Sequence, residues 1–489
     1  MALVVLGAAA ALRLAFFSGM VLYDDYHYAF RAWQLAEGHF EPPVGVFSAR
    51  VGLVGPTALV YAMFGVSRAS TSAFPFACSM GSVVATYLLG RRLWDDRVAL
   101  FASLFVAIFP LDVIYAGELF GTTPETFFVG TGLGLFLLAE RESRPKLYAA
   151  SGVCLGAAAL VHETALVALI YYPVYSLIVA RPAKRQAWFL CGLVSTLAID
   201  PLVHGLMGSP GAHFVAMTTG SVAHGTSGET SFRGFNVEWL GEPILRFATE
   251  QELGLFPLLL APLALWRLWQ GRRGEEANGA THAVALYLVV VGLWLLYGSV
   301  SPLRYAPLGR LPRYLAGLVL PCAWLLASEL CDRRGSRVRM LVTAGLVLTS
   351  FACVVLDGGR ARLGPYQRLK DAIAASGANR VHVERAVDPG LRFAEGFRPR
   401  YELLRLEGIP QPGELAAVES PEGQRRFSDL PAAEMLATIG RPDTVYTKVL
   451  RTRLALAVLS LTRPDYRMRD LQAKAQPWAL VLYRMRGGD

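Results

Sequence analysis

Ala2-Leu-Val-Val-Leu-Gly-Ala-Ala-Ala-Ala-Leu-Arg-Leu-Ala-Phe-Phe-Ser-Gly-Met-Val-Leu22 runs directly into Tyr23-Asp24-Asp25-Tyr26-His27-Tyr28. An apolar run of about 18 residues or more is long enough to cross a bilayer as a helix. This one has no basic leading segment and no Ala-x-Ala cleavage pattern before the polar stretch, so it reads as a signal-anchor helix. Arg13 is the one charge inside it. Either Arg13 faces the interior of a bundle, or the chain starts further upstream.

Outward from this stretch the pattern repeats. Apolar runs lie at about 71–90, 98–115, 122–139, 147–161, 163–180, 187–207, 252–270, 281–299, 311–331 and 338–356. With the first run they predict about 11 transmembrane helices. Composition agrees: of 489 residues 54% are hydrophobic and only 17% charged, with a mean hydropathy of +0.39. A soluble domain carries roughly 25% charge. This excludes an ordinary soluble enzyme, a disordered chain and a coiled coil. Continuous runs, not alternation, also exclude a membrane β-barrel. The fold class is an all-α polytopic membrane bundle with a small C-terminal α+β domain.

Loop charge sets the expected orientation. The segments 91–97, 140–146, 181–185, 272–273 and 333–339 are basic and read as cytoplasmic. The alternate loops 23–50, 116–121, 208–251 and 300–310 are longer or less basic and read as outer. The alternation closes if residues 52–66, short and interrupted by Gly55-Pro56, lie along the outer interface instead of crossing. The N-terminus is then cytoplasmic. Residues 1–356 form the membrane domain, and residues 357–489 form a soluble domain outside. In that tail Val381–Glu384, Tyr401–Leu406 and Trp478–Arg484 read as strands, and Leu369–Ser376 and Ala432–Ile439 as helices. No inverted repeat of the kind many transporters carry is present.

The net charge of +9 reads as cytoplasmic loop charge and a basic tail. No zinc-finger spacing or RNA-binding signature accompanies it, so no nucleic-acid partner is expected. The six cysteines lie in or beside apolar runs with no CxxC spacing, and read as small core residues.

The chemistry-bearing residues fall in the outer loops. Asp24 and Asp25 are adjacent carboxylates at a membrane surface, which either cap the helix that follows or bind a cation or act as a base. Glu118 and Glu125 flank the next outer turn. Glu125 follows Pro124 at a helix start, where a carboxylate suits the dipole, or it aims at the same cavity as Asp24. His162 and Glu163 form an ionisable pair in apolar surroundings, a functional site by default or a packing device. They make no HExxH site, because position 166 is Leu. Arg304, Arg310 and Arg313 with Tyr314 gather at the outer start of a late helix. There they snorkel to headgroups, or their forked guanidinium groups hold a phosphate. The 208–251 loop holds His213, His224, Glu229, Arg233, Glu238, Glu242, Arg246 and Glu250, with His204 at its edge. Its histidine spacing fits no metal motif, and it reads as a substrate-covering loop.

In their order and shared side, these stretches resemble the GT-C membrane glycosyltransferases, in the bacterial branch similar to protein O-mannosyltransferases and the lipid A aminoarabinose transferase. The matching segments are Tyr23-Asp24-Asp25-Tyr26-His27-Tyr28 before Leu35-Ala36-Glu37-Gly38, then Leu88-Leu89-Gly90-Arg91-Arg92-Leu93-Trp94. Leu160-Val161-His162-Glu163-Thr164-Ala165-Leu166 and Pro312-Arg313-Tyr314-Leu315 with Pro321 complete them. They span residues 1–356; the tail matches no motif.

The resemblance implies a helical bundle with interfacial helices in the first outer loop. It implies transfer of a sugar from a polyprenyl-phosphate donor to a lipid, glycan or protein acceptor at the outer face of the plasma (inner) membrane. The family's first-loop acid falls on Asp24, with Asp25 beside it. Its second acid falls best on Glu125, although Glu118 leaves that choice open. Asp24 then acts as general base, and Asp25, Glu125 and Glu163 orient the acceptor or hold a cation. Arg310 and Arg313, with Arg304 and Tyr314, meet the donor phosphate, and a single attack inverts the anomeric centre. Some members use a divalent metal and others do not, so the cofactor is open.

Three other readings compete. A flippase for a lipid-linked sugar needs polar residues along both halves of the membrane path, whereas these acids cluster at one face. An O-antigen polymerase or ligase fits the large 208–251 loop and fits Asp24-Asp25 poorly. A receptor or structural protein would use the tail to bind a partner.

Overall fold

The computed structural model describes residues 1–21, 24–43, 49–179, 183–213, 215, 253, 256–272, 279–298, 312–332, 336–357, 363–385, 387–407, 409–430, 433–440 and 479–486. Most of the expected runs are helices within a few residues of their expected ends. They include Arg68–Leu93, Thr122–Glu142, Pro145–Val161, Gly279–Tyr297 and Ser336–Asp357, whereas the first helix, Ala2–Ala15, stops well short of the expected Leu22. Among the described residues four helices are long and apolar enough to cross a membrane: Arg68–Leu93, Gln186–Leu206, Gly279–Tyr297 and Arg313–Cys331.

The expected 11 crossings are not reproduced as 11 long helices. The 98–115 run breaks into Asp96–Ile108 and Pro110–Tyr115. Proline has no N–H to donate and disfavours helical backbone in the residue before it. Phe109 accordingly sits at φ −63°, ψ 118°. The 163–180 run begins as a 3₁₀ helix over Glu163–Ile170 before Tyr171–Val179 continues it. Gly55-Pro56, by contrast, does not interrupt the helix Val51–Phe64.

The bundle core is built on close approaches. Trp324 is fully buried, and its indole N–H donates to the Thr86 carbonyl at 3.2 Å. A Cβ at Gly134 would meet its ring at 2.9 Å. Pro145–Val161 packs on Ala183–Leu197 through glycine: a Cβ at Gly152 would fall on the Phe189 carbonyl, and one at Gly192 on that of Ala149. Small residues of this kind let membrane helices approach closely. Arg13 faces inward. Its Nη2 lies 2.5 Å from Asp112 Oδ2, both side chains are wholly buried, and Ser79 Oγ donates to the same oxygen at 2.5 Å.

The tail holds a five-stranded sheet in the order β2-β1-β3-β5-β4, from β1 (Arg380–Val383), β2 (Glu402–Arg405), β3 (Leu415–Val418), β4 (Ala433–Gly440) and β5 (Ala479–Met485). β1 runs parallel to β2 and β3, and β5 runs antiparallel to β3 and β4. The three expected strands are present. The expected helix over Ala432–Ile439 is instead β4, paired along its length with β5. Its good helix formers, Ala433, Glu434, Met435 and Leu436, yield to the ladder, because tertiary pairing overrides weak local propensity.

Candidate active site

The helix Asp24–Ala36 starts with two carboxylates, and they go different ways. Adjacent helical positions point about 100° apart. Asp24 turns to a crevice that it lines with Tyr28, Arg50, Glu125, His162 and Arg313. Asp25 is fully buried and accepts the Val21 N–H at 2.6 Å. Asp25 therefore does not stand beside Asp24 in the crevice, as adjacency in sequence led us to expect; it fastens the chain entering the helix.

Arg313 comes from the 3₁₀ turn Pro312–Leu318. Its Nη2 donates to Asp24 Oδ2 at 3.0 Å, and the guanidinium lies over Phe120, 5.2 Å from the ring centre. The Tyr314 ring packs on His162, centroids 5.5 Å apart. Glu125, in the first turn of Thr122–Glu142, accepts from Thr164 Oγ1 at 2.9 Å on each oxygen. His162 Nδ1 contacts the same Thr164 hydroxyl and lies 3.4 Å from Glu125 Oε2. Of the two acids left open by the sequence, Glu125 lines the crevice. Glu118 is buried away from it, accepting from Ser18 Oγ at 3.0 Å.

Arg50, at the start of Val51–Phe64, forms the back of the crevice. It holds Glu163 through two bonds of 3.0 and 2.8 Å and donates to the Tyr28 hydroxyl. Burial raises the Tyr28 phenol far above its ordinary range, so it stays protonated. Behind Glu163 stands His213, 3.2 Å from Glu163 Oε1 and 2.8 Å from Asp200 Oδ1. Burial alone would lower the His213 pKa, but hydrogen bonds to Asp200 and Glu163 prevail and push it up to about 9.

Sequence reasoning did not single out Arg50, Thr164 or Asp200. The signal for Arg50 was present, an arginine at the foot of an apolar helix inside an outer acidic loop. The expected phosphate ligands Arg304 and Arg310 lie outside the described residues, as does most of the 208–251 loop. Among the described residues no group of three or more His, Cys, Asp or Glu side chains is arranged to hold a metal ion.

The crevice is narrow, about 10 Å³, room for about one water. Larger cavities lie elsewhere among the described residues. One of about 930 Å³ is lined by Trp94, Arg141 and His282 and holds none of these groups. One of about 270 Å³ is almost wholly apolar, running along Phe256, Leu260 and Leu293 to Leu315, two residues from Arg313.

The helix ends of the bundle bring two acids, two arginines and a histidine into one crevice, and the chain is similar in fold to known membrane-protein structures. A family model described as dolichyl-phosphate-mannose-protein mannosyltransferase matches residues 56–204. The chain is similar to ArnT from Cupriavidus metallidurans in the apo state, with 12% identity and a TM-score of 0.55 over 89% of this chain and 95% of that one. Against ArnT bound to undecaprenyl phosphate the identity is 13% and the TM-score 0.58, over 100% and 99%. It is also similar to the Archaeoglobus fulgidus oligosaccharyltransferase in complex with Zn and sulfate: 13% identity, TM-score 0.51, 82% of this chain and 62% of that one. No curated protein matches the sequence.

Proposed function

We propose that this chain is an integral membrane glycosyltransferase that moves a sugar from a polyprenyl-phosphate donor to an acceptor at the extracytoplasmic face. The Asp24–Arg313 contact in the crevice carries the reading, because it sets a base beside a phosphate-binding cation. The similarity to an ArnT bound to undecaprenyl phosphate supports the donor class.

The donor's lipid tail lies in the apolar cavity that ends at Leu315. Its phosphate takes the Arg313 guanidinium, with Arg310 and Arg304 as further ligands, and Tyr314 stays against His162. Because the crevice is narrow, the phosphate enters by drawing Arg313 off Asp24. Asp24 then removes the proton from the acceptor hydroxyl or amine. The acceptor atom bonds to the anomeric carbon as the carbon–oxygen bond to phosphate breaks on the opposite face, so the centre inverts. Arg313 stabilises charge on the departing phosphate. Arg50, clamped by Glu163 and Tyr28, fixes the back wall, its charge balanced by Glu163. Glu125 and His162, joined through Thr164, orient the acceptor.

The test incubates purified protein in nanodiscs with a panel of polyprenyl-phosphate sugars and measures carrier-phosphate release, with and without EDTA. Release with at least one donor is expected, and the EDTA arm decides the metal. No release from folded protein with any donor overturns the reading and favours a flippase.

A further inference from the structure

The tail carries a second basic site that the reaction above does not use. β1 and β2 end side by side, with Val383 opposite Arg405. A pocket of about 400 Å³ opens beyond their ends, and its charged lining is Arg385, Asp388, Arg392 and Arg405. Ligands of open parallel sheets characteristically bind beyond the carboxyl ends of the strands where the strand order reverses, here between β1 and β3. On that flank of β1 the space is filled: Glu384 accepts the Glu419 and Ser420 N–H groups at 2.8 and 2.9 Å.

The charges in the pocket do not balance. Arg392 holds Asp388, with Nε 2.7 Å from Oδ1. Among the described residues Arg385 and Arg405 have no ion-pair partner, and both are exposed. Three guanidinium groups face one carboxylate, an excess of two positive charges. A phosphate monoester near neutral pH carries close to two negative charges, and arginine bonds its oxygens in pairs.

The pocket sits beside the helix that begins with Asp24. Phe397 packs on Tyr26, Phe30 and Trp33 of that helix, centroids 5.4 to 5.9 Å apart. Arg398 reaches Glu37. Phe397 holds φ +64° to do so, a left-handed conformation that is strained in a non-glycine residue. The surrounding contacts therefore fix this docking. Tyr26, two residues from Asp24, feels the pocket directly: burial and then Asp388 push its hydroxyl up to about 12, against Arg392.

We infer that the Arg385–Arg392–Arg405 pocket binds a phosphate group carried by the acceptor, and so presents the acceptor to Asp24. The inference rests on the glycosyltransferase reading for the word acceptor; the anion site stands without it. The test is isothermal titration of the full chain in nanodiscs of zwitterionic lipid with sodium phosphate, then with acetate. The expected result is saturable phosphate binding in the wild type, in Asp24→Asn and in Arg313→Gln, with no binding of acetate. The double variant Arg385→Gln/Arg405→Gln, shown to fold by an unchanged melting temperature, loses at least tenfold in phosphate affinity. In transfer assays it raises the acceptor KM more than it lowers kcat. Absence of saturable binding, or equal binding by the double variant, overturns the pocket. Loss of the titration when the nanodiscs contain phosphatidate assigns the site to a membrane headgroup and overturns the acceptor. No carrier-phosphate release by the wild type with any donor sinks the functional reading alone, because the titration needs no turnover.

Discussion

Asp24 and Arg313, 289 residues apart in the chain, meet with Oδ2 and Nη2 3.0 Å apart. About a quarter of each side chain is open to solvent, 26% and 23%. A phosphate offers the Arg313 fork two oxygens where Asp24 offers one, so a bound phosphate can replace the carboxylate. The contact connects the chain's first polar loop to the start of the 311–331 apolar run.

Arg313→Gln is expected to weaken donor binding. A hydrogen bond to a charged group contributes about 1.5–3 kcal/mol, so the donor KM rises roughly 10- to 100-fold. Arg313→Lys does not restore it fully, because lysine offers a point charge and no planar fork. Donor titration in nanodiscs reads this out; unchanged affinity in Arg313→Gln removes the residue from the phosphate site.

Arg13→Met leaves the Asp112 carboxyl without its cation in the bundle interior. Removing one partner of a buried pair costs about 3–5 kcal/mol, and a large drop in melting temperature is expected. Arg13→Met/Asp112→Leu recovers most of the loss, since no carboxyl is then stranded. A double variant as unstable as the single one contradicts this account of the pair.

Gly192→Ala places a methyl group on the Ala149 carbonyl of the facing helix. Backbone cannot yield there as a flexible side chain would, so the two helices must separate. The variant is expected to lose stability, by about 1–3 kcal/mol if it behaves as an overpacked core does. Gly345→Ala, with nothing within 4 Å of the new Cβ, is the control and keeps its melting temperature.

His213 lies beyond the Gln186–Leu206 span and binds its proton more tightly in the fold than in the open chain, about 9 against roughly 6.5. Its contribution to stability is therefore complete below about pH 6.5 and is lost as pH rises through about 9. Melting temperatures at pH 7 and pH 10 should differ in the wild type and differ less in His213→Gln. Equal pH slopes in the two proteins contradict the proton assignment.

Much of the fold was legible because membrane helices announce themselves through continuous apolar runs. What escaped was local. Pro110 sits within the 98–115 run, whose apolar character hides the break at Phe109. The 433–440 segment carries helix-forming residues and is a strand because β5, 39 residues after its last residue, pairs with it. At the site, Asp24, Glu125, His162 and Arg313 could be grouped in advance since each closes or opens an apolar run near one face. Asp25 and Glu118 carry the same charge a few residues away, and only the helix phase and Ser18 reveal that they point elsewhere. Asp112 gave no sign of its partner, because a buried pair 99 positions apart leaves no mark in spacing.

The central claim is that Asp24 takes the acceptor's proton. The most direct test measures carrier-phosphate release coupled to transfer for wild type, Asp24→Asn and Asp25→Asn in nanodiscs, with melting temperatures alongside. A general base contributes typically 10²–10⁴-fold. Asp24→Asn is expected to lose transfer by about that factor while melting like the wild type, whereas Asp25→Asn, which gives up its hold on Val21, loses stability first. An Asp24→Asn protein that turns over at close to the wild-type rate contradicts the claim.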